Sequence, residues 1–188
     1  MAGCAGHGSA GAMRIQSLGD RPAVLAGDYT TAYFSREADE EASFMLADMP
    51  AAGVLKGTVG NGQLLHIDLL WLPKPGRTPI DPSATNATIR LVVISNGEMG
   101  LYGGAGFAMP DGSLEGKKVS LTLRDASVQL LESTPGFVDL LSPAQMTGSF
   151  SAQHNDQKSR DLKNAASQVV TDALGKTRYV LAGGQSKP

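Results

Sequence analysis

The stretch Leu64-Leu65-His66-Ile67-Asp68-Leu69-Leu70-Trp71-Leu72 decides the fold class. At the two-residue period of a strand, Leu65, Ile67, Leu69 and Trp71 share one face, and Leu64, His66, Asp68, Leu70 and Leu72 share the other. The first face is wholly apolar. The second mixes leucines with a histidine and an aspartate, so both sides are expected to be partly covered. A helix is the competing reading of so apolar a run. Pro73 and Pro75 close it and a turn-rich segment follows, which favours a strand.

Working outward, short alternating runs separated by turn residues point to an antiparallel β domain. Upstream, Tyr29 to Arg36 is rich in β-formers, and Ala42 to Met49 carries Phe44 and Leu46 on one face. The acidic Glu37-Ala38-Asp39-Glu40-Glu41 joins them as a turn, and Val54 to Val59 reads as a further short strand among several glycines. Downstream, Thr88 to Ser95 alternates Ile89, Leu91 and Val93 against Arg90, Val92 and Ile94. Asn96-Gly97 is a type I′ hairpin signal leading into Met99 to Ala108. Pro110-Asp111-Gly112 reads as a turn. Val119 to Arg124, Ser127 to Glu132 and Thr147 to Gln153 complete the set, with Thr177 to Leu181 as a last edge strand.

Asn155 or Asp156 caps a helix over about 156–174, with Leu162, Ala166, Val169, Val170 and Ala173 at helical spacing and Gly175 as its stop. The expected fold is mainly β, an antiparallel sandwich or small barrel of about eight or nine strands with one C-terminal amphipathic helix. Residues 1–27 are expected as anchor and flexible linker, 28–182 as one β-rich domain, and 183–188 as a frayed tail.

Composition excludes several functions. The formal charge of −2 over 188 residues gives no electrostatic footprint for nucleic acid. Aromatic residues make up 5%, too few for a stacking platform. No apolar run reaches the ~18 residues of a membrane-spanning helix. The single cysteine, Cys4, rules out an internal disulfide.

Met1-Ala2-Gly3-Cys4 resembles the cleavage and lipidation signal of bacterial lipoproteins. The small, nearly uncharged Ala5 to Ala12 that follows suits a tether. The resemblance implies acyl chains on Cys4, a membrane partner and a place in the bacterial cell envelope. It requires a longer precursor, because the basic and apolar segments of a signal must precede Met1. The alternative is an initiator methionine on a cytoplasmic protein with a loose tail.

Chemistry is sparse. His66 and Asp68 point the same way from one strand, and Arg90 on a neighbouring strand can pair with Asp68. Two such groups do not make a zinc site. His154 and Asp156 repeat the spacing at the helix start, where an acid complements the helix N-terminus. Convergence of the two pairs on one metal is the sharper expectation, and separate solvated pairs the plainer one. No nucleophile elbow occurs. Gly175-Lys176-Thr177 follows a helix instead of preceding one, and Gly103-Gly104-Ala105-Gly106 lacks the spacing of a dinucleotide loop. Those glycines suit a bulge or close packing, flanked by Tyr102 and Phe107.

The proline-rich loop from Pro73 to Asn86, beside Trp71, is the best candidate binding surface. Its alternative is a rigid crossover with Trp71 in the core. Asn86-Ala87-Thr88 matches a glycosylation sequon. No catalytic residue, metal or cofactor is assigned. Three functions remain: a lipid-anchored, non-catalytic interaction or structural domain that binds envelope components; a carrier of a small apolar ligand; and an enzyme using the His66/Asp68 face. Trp71, His66, Asp68 and Arg90 are the candidate binding residues.

Overall fold

Apolar side chains alternate inward along the nine strands of the described residues, and the sheet they build curls until one end closes on an inner strand. The protein is described by a computed structural model, which covers residues 9–20, 22–74 and 84–177. In chain order the elements are β1 (Gly11–Ser17), β2 (Val24–Tyr29), β3 (Thr31–Ala38), β4 (Glu41–Ala47), α1 (Ala51–Leu55), β5 (Gly62–Leu69), β6 (Ala87–Ser95), β7 (Glu98–Asp111), β8 (Lys118–Ser133), β9 (Ala144–His154) and α2 (Asp156–Leu174).

The strand order is β2-β1-β9-β3-β4-β5-β6-β7-β8, and β8 also pairs with β9. The ladder from β3 through β9 therefore closes on itself as a barrel, which removes the edges an open sheet would leave. The closing seam is one short parallel pairing, Tyr33 to Gln153 and Phe34 to His154. All other pairings are antiparallel. At the other end of β9, β1 occupies the edge that β3 holds at the seam.

Strand alternation fills the barrel from every side. Phe34 from β3 stacks on Phe44 from β4 with ring centres 5.5 Å apart, and Phe44 meets Phe150 from β9 edge-on at 5.7 Å. Leu65, Ile67 and Leu69 of β5 belong to the same buried cluster, as the period-two reading required. The opposite residues of β4 to β7 form a second apolar cluster, on the outer wall. There Met45, Leu64, Val92 and Leu101 pack with Val54 of α1 and Leu162, Ala166, Val169 and Val170 of α2.

The mainly β class with one C-terminal helix is as expected. So are the boundaries of α2: the Asn155 side chain accepts the Lys158 N–H at 2.9 Å and Gly175 ends the helix in the left-handed region. Of the expected stripe, Ala173 is exposed, and Leu174 beside it packs against the outer wall instead. The Asn96-Gly97 turn has φ of 53° and 81°, as type I′ demands.

Several expectations are corrected. Within the stretch expected as anchor and flexible linker, residues 11–17 and 24–27 are strand instead, in β1 and β2, with Met13 and Ile15 buried inside the barrel. Alternation over so few residues, broken by glycines, hid a strand that is held mainly by its neighbour β9. Val54 to Val59 is not a strand. Ala51–Leu55 makes one helical turn after Pro50, which presets its backbone, and Val54 anchors it. The two strands expected at Val119–Arg124 and Ser127–Glu132 are one, β8, bent at a bulge where Asp125 has φ 48°. Pro110 lies inside β7, in the terminal part that pairs only with β8, so its missing N–H costs no ladder bond to β6. The edge strand expected at Thr177 to Leu181 falls almost wholly outside the described residues.

The glycine run in β7 serves close packing against that bulged strand. A methyl group on Gly104 would overlap the Ser127 carbonyl, and one on Gly106 would overlap Ala126. Leu131 lies over Gly103 and Phe137 over Gly100, so these side chains fill the gap that was assigned to Tyr102 and Phe107. Gly104→Ala is expected to cost about 3 kcal/mol, near the upper end for overpacking, whereas Gly60→Ala, with open space at the added carbon, changes stability little. The shift in urea midpoint measures both.

Candidate functional site

His66 and Asp68 lie on the outer face of β5, beneath α2, because odd residues of this strand point into the barrel. Their side chains meet: His66 Nε2 is 2.8 Å from Asp68 Oδ1. Ser43, from the outward face of β4, brings its Oγ to 2.8 Å from the same Nε2. From above, α2 lowers Lys163, whose Nζ is 3.7 Å from Asp68 Oδ1 and donates to Ser43 Oγ at 3.4 Å. Ser159, one turn earlier, donates to the Ser43 carbonyl at 3.4 Å. Register places Arg90 of β6 directly opposite His66, and Thr88 opposite Asp68. Lys163 therefore joins the group around Asp68 from the helix side.

The cluster is sealed. Ser43 and Ser159 are buried, His66 is 1% exposed and Lys163 6%. Burial pushes the His66 imidazole below its ordinary value, and the neighbouring Lys163 and Arg90 charges push it the same way, against the pull of Asp68. Burial alone would raise the Asp68 carboxyl. Hydrogen bonding and charge from His66, with Lys163 and Ser43 adding to them, outweigh it and hold the carboxyl down at about 2. At neutral pH the cluster holds a neutral imidazole and a carboxylate facing an ammonium group.

Ser, His and Asp meet here without forming a nucleophilic triad. Both oxygens address Nε2, whereas a triad needs the serine and the aspartate on opposite ring nitrogens. No substrate can reach a serine with no exposed surface. The cluster is chemically a pin: charge-assisted bonds between helix and wall that hold α2 at one place.

The second pair stays apart. His154 Nε2 and Asp156 Oδ1 are 3.1 Å from each other at the start of α2, with His154 tilted over Phe34 at 5.1 Å. Asp156 also accepts the Arg36 N–H at 3.4 Å. Among the described residues no group of three His, Cys, Asp or Glu side chains comes together as metal ligands. Convergence of His66, Asp68, His154 and Asp156 on one ion is therefore overturned, because two strands and a helix turn hold the pairs in separate layers.

Trp71 lies beyond the end of β5, half-buried, and meets Phe107 of β7 edge-on at 6.2 Å. It does not continue the inward row of Leu65, Ile67 and Leu69, because the strand stops at Leu69. Asn86 is what ties this lip together. Its amide nitrogen donates to the carbonyls of Trp71 at 3.2 Å and Ala108 at 2.8 Å, and its carbonyl oxygen accepts the Ala108 N–H at 2.7 Å. Asn86 is completely buried, so the sequon is spent on structure. Exposed Leu70 and Met109 flank the Trp71–Phe107 pair, which makes an apolar lip on the barrel mouth. Cys4 and residues 75–83 of the neighbouring loop lie outside the described residues.

Among the described residues, one surface depression of about 460 Å3 lies around Thr122, Arg124 and Thr147, and another of about 340 Å3 around Thr31, Tyr33, Lys118 and Gln153. Neither includes His66, Asp68, Arg90 or Trp71. No family model, curated protein or solved structure matches the chain.

Ser43 and Lys163 were missed by sequence reasoning, and Asn86 was read only as a loop end and a sequon. The available signal was Lys163 itself, a cation flanked by Leu162 and Ala166 within an apolar stripe. Removing one partner of a buried ion pair strands the other. Asp68→Ala is accordingly expected to cost about 3–5 kcal/mol, and Asp68→Leu combined with Lys163→Met to cost much less than the two changes summed. A double-mutant cycle from denaturation midpoints reads the coupling. Asn86→Ala, which orphans three buried backbone or side-chain bonds, is expected to cost about 2–3 kcal/mol by the same measurement.

Proposed function

We propose that this protein is a non-catalytic interaction domain held at the bacterial cell envelope by lipid on Cys4, with the Trp71 lip as its contact surface for another envelope protein. The observation that carries the non-catalytic half is the sealed cluster. Among the described residues, the place where Ser43, His66 and Asp68 meet is closed to solvent, and both oxygens approach the same ring nitrogen. The aromatic rings that meet inside the barrel support a structural body over a carrier, since the depressions of several hundred Å3 lie at the surface and not among those rings.

The lip supports the interaction half. Trp71, Phe107, Leu70 and Met109 offer an apolar surface on a rigid base, because Asn86 fixes their backbones before any partner arrives. A preorganised aromatic surface loses little conformational freedom on binding. The anchor rests on the lipoprotein-like Met1-Ala2-Gly3-Cys4 and the small residues after it.

Expression from the native locus tests both halves. The protein is expected to partition into the detergent phase with an acylated Cys4, and Cys4→Ser to move it to the aqueous phase. A photo-crosslinking residue in place of Trp71 is expected to give a discrete adduct with an envelope protein, while the same residue in place of Lys56 does not. An unmodified Cys4 thiol in a water-soluble fraction overturns the anchor. Crosslinks that do not distinguish the two positions overturn the contact surface.

A further inference from the structure

β1 and β3 share one edge of β9, and they part where it matters. β1 leaves that edge at Ser151, whose N–H donates to the Ala10 carbonyl at 2.7 Å, and β3 takes it from Gln153 onward. Between them the chain turns through Thr30, whose N–H donates to the Ala47 carbonyl of β4 at 3.1 Å. The fork so formed is the depression of about 340 Å3, lined by hydroxyls from Ser9, Thr30, Thr31 and Ser151 with Lys118 of β8 beside them.

Its chemistry is one-sided. Lys118 is exposed, and among the described residues that line the fork there is no carboxylate. Lys158 of α2 adds a second ammonium at the rim, where Nζ donates to the Tyr33 hydroxyl at 3.4 Å and stands 5.0 Å from the ring centre. The Thr30 and Thr31 hydroxyls make no hydrogen bond among the described residues, so their protons remain available to a ligand. The larger depression differs, since Arg124 there shares the hollow with Asp125. Two cations beside unused hydroxyl donors suit a phosphate group, whose charged oxygens accept from several directions at once.

We propose that the fork seats the phosphate of an anionic phospholipid headgroup in the membrane that holds Cys4. The choice of a lipid phosphate over a dissolved one rests on the anchor reading. Ser9 belongs to the lining and lies five positions after Cys4, a span of at most ~18 Å even when fully extended. An acylated Cys4 therefore keeps this depression within that distance of the headgroups, whichever way the rest of the barrel turns. The adjoining Ala5-Gly6-His7-Gly8 has no carboxylate to fill it instead. Each lysine brought to an anionic bilayer strengthens binding about fivefold.

Vesicle sedimentation tests this with the full chain carrying Cys4→Ser, which has no lipid of its own. It is expected to bind vesicles of phosphatidylcholine mixed with phosphatidylglycerol, and not phosphatidylcholine alone. Adding Lys118→Ala or Lys158→Ala is expected to weaken that binding about fivefold. Thr31→Val, which keeps charge and shape, is expected to weaken it about threefold. Arg124→Ala removes the same charge from the other depression and should leave binding nearly unchanged. Equal weakening by Arg124→Ala, or none by Thr31→Val, means diffuse charge attraction and overturns the seat. So does binding that ignores phosphatidylglycerol, or sedimentation without vesicles that grows with protein concentration, which assigns the face to a second copy. Thermal stabilisation by inorganic phosphate that Lys118→Ala abolishes, with no vesicle binding, assigns the fork to a dissolved anion and overturns the lipid. Because these variants carry no acyl chain, their failure is distinct from failure of the anchor, which acylation of the native protein reports.

Discussion

A wall whose strands are apolar on both faces must be covered twice. That constraint governs this structure. β4 and β5 carry buried side chains at nearly every position, which an open sheet with one wet face would not tolerate. Curling the sheet into a barrel covers the inner face, and laying α2 and α1 on the outside covers the outer one. Each buried leucine or valine of the helix contributes roughly 2 kcal/mol from lost apolar surface, so the helix is held by packing before any charge is counted. Barrel and helix are thus one solution to one problem set by the sequence from Leu64 to Leu69.

The parts of this arrangement that the sequence disclosed are the parts written in local periodicity. The alternation around Ile67 and Ile89, the Asn96-Gly97 turn and the caps of α2 depend on residues within a few positions of each other, and they could be read directly. β1 could not, because it is built between β2 and β9, and β9 lies more than a hundred residues away. The bulge at Asp125 was invisible for a related reason. A single αL residue lets one long strand change its twist, and in sequence it resembles a turn between two short strands. The mixed face of β5 was legible as half-covered, but nothing local said that a helix covered it.

The site was legible in the same uneven way. His66 and Asp68 were visible because a strand's period puts them side by side. Their true partners were not, since Ser43 and Lys163 arrive from 23 residues before His66 and 97 after it and only the barrel brings them together. Arg90 was visible as a cation on the neighbouring strand, and register sets it opposite His66. A lysine in the middle of an otherwise apolar helix stripe was the clue that outweighed proximity along the sheet. A buried ammonium is costly, and a chain that keeps one on its inward face must supply a carboxylate there.

Such a pair does little for net stability, since the cost of drying two charges offsets most of their attraction. Its larger effect is on register. An apolar stripe such as Leu162, Ala166, Val169 and Val170 can slide along an apolar wall at small cost, for one leucine contact resembles the next. A slip of one helical turn, ~5.4 Å, would bring Ser159 or Ser167 over Asp68 and leave Lys163 among side chains with no carboxylate. That alternative pays for two unpaired buried charges at once, which apolar packing cannot recover. The cluster therefore selects a single seating of α2 on the barrel.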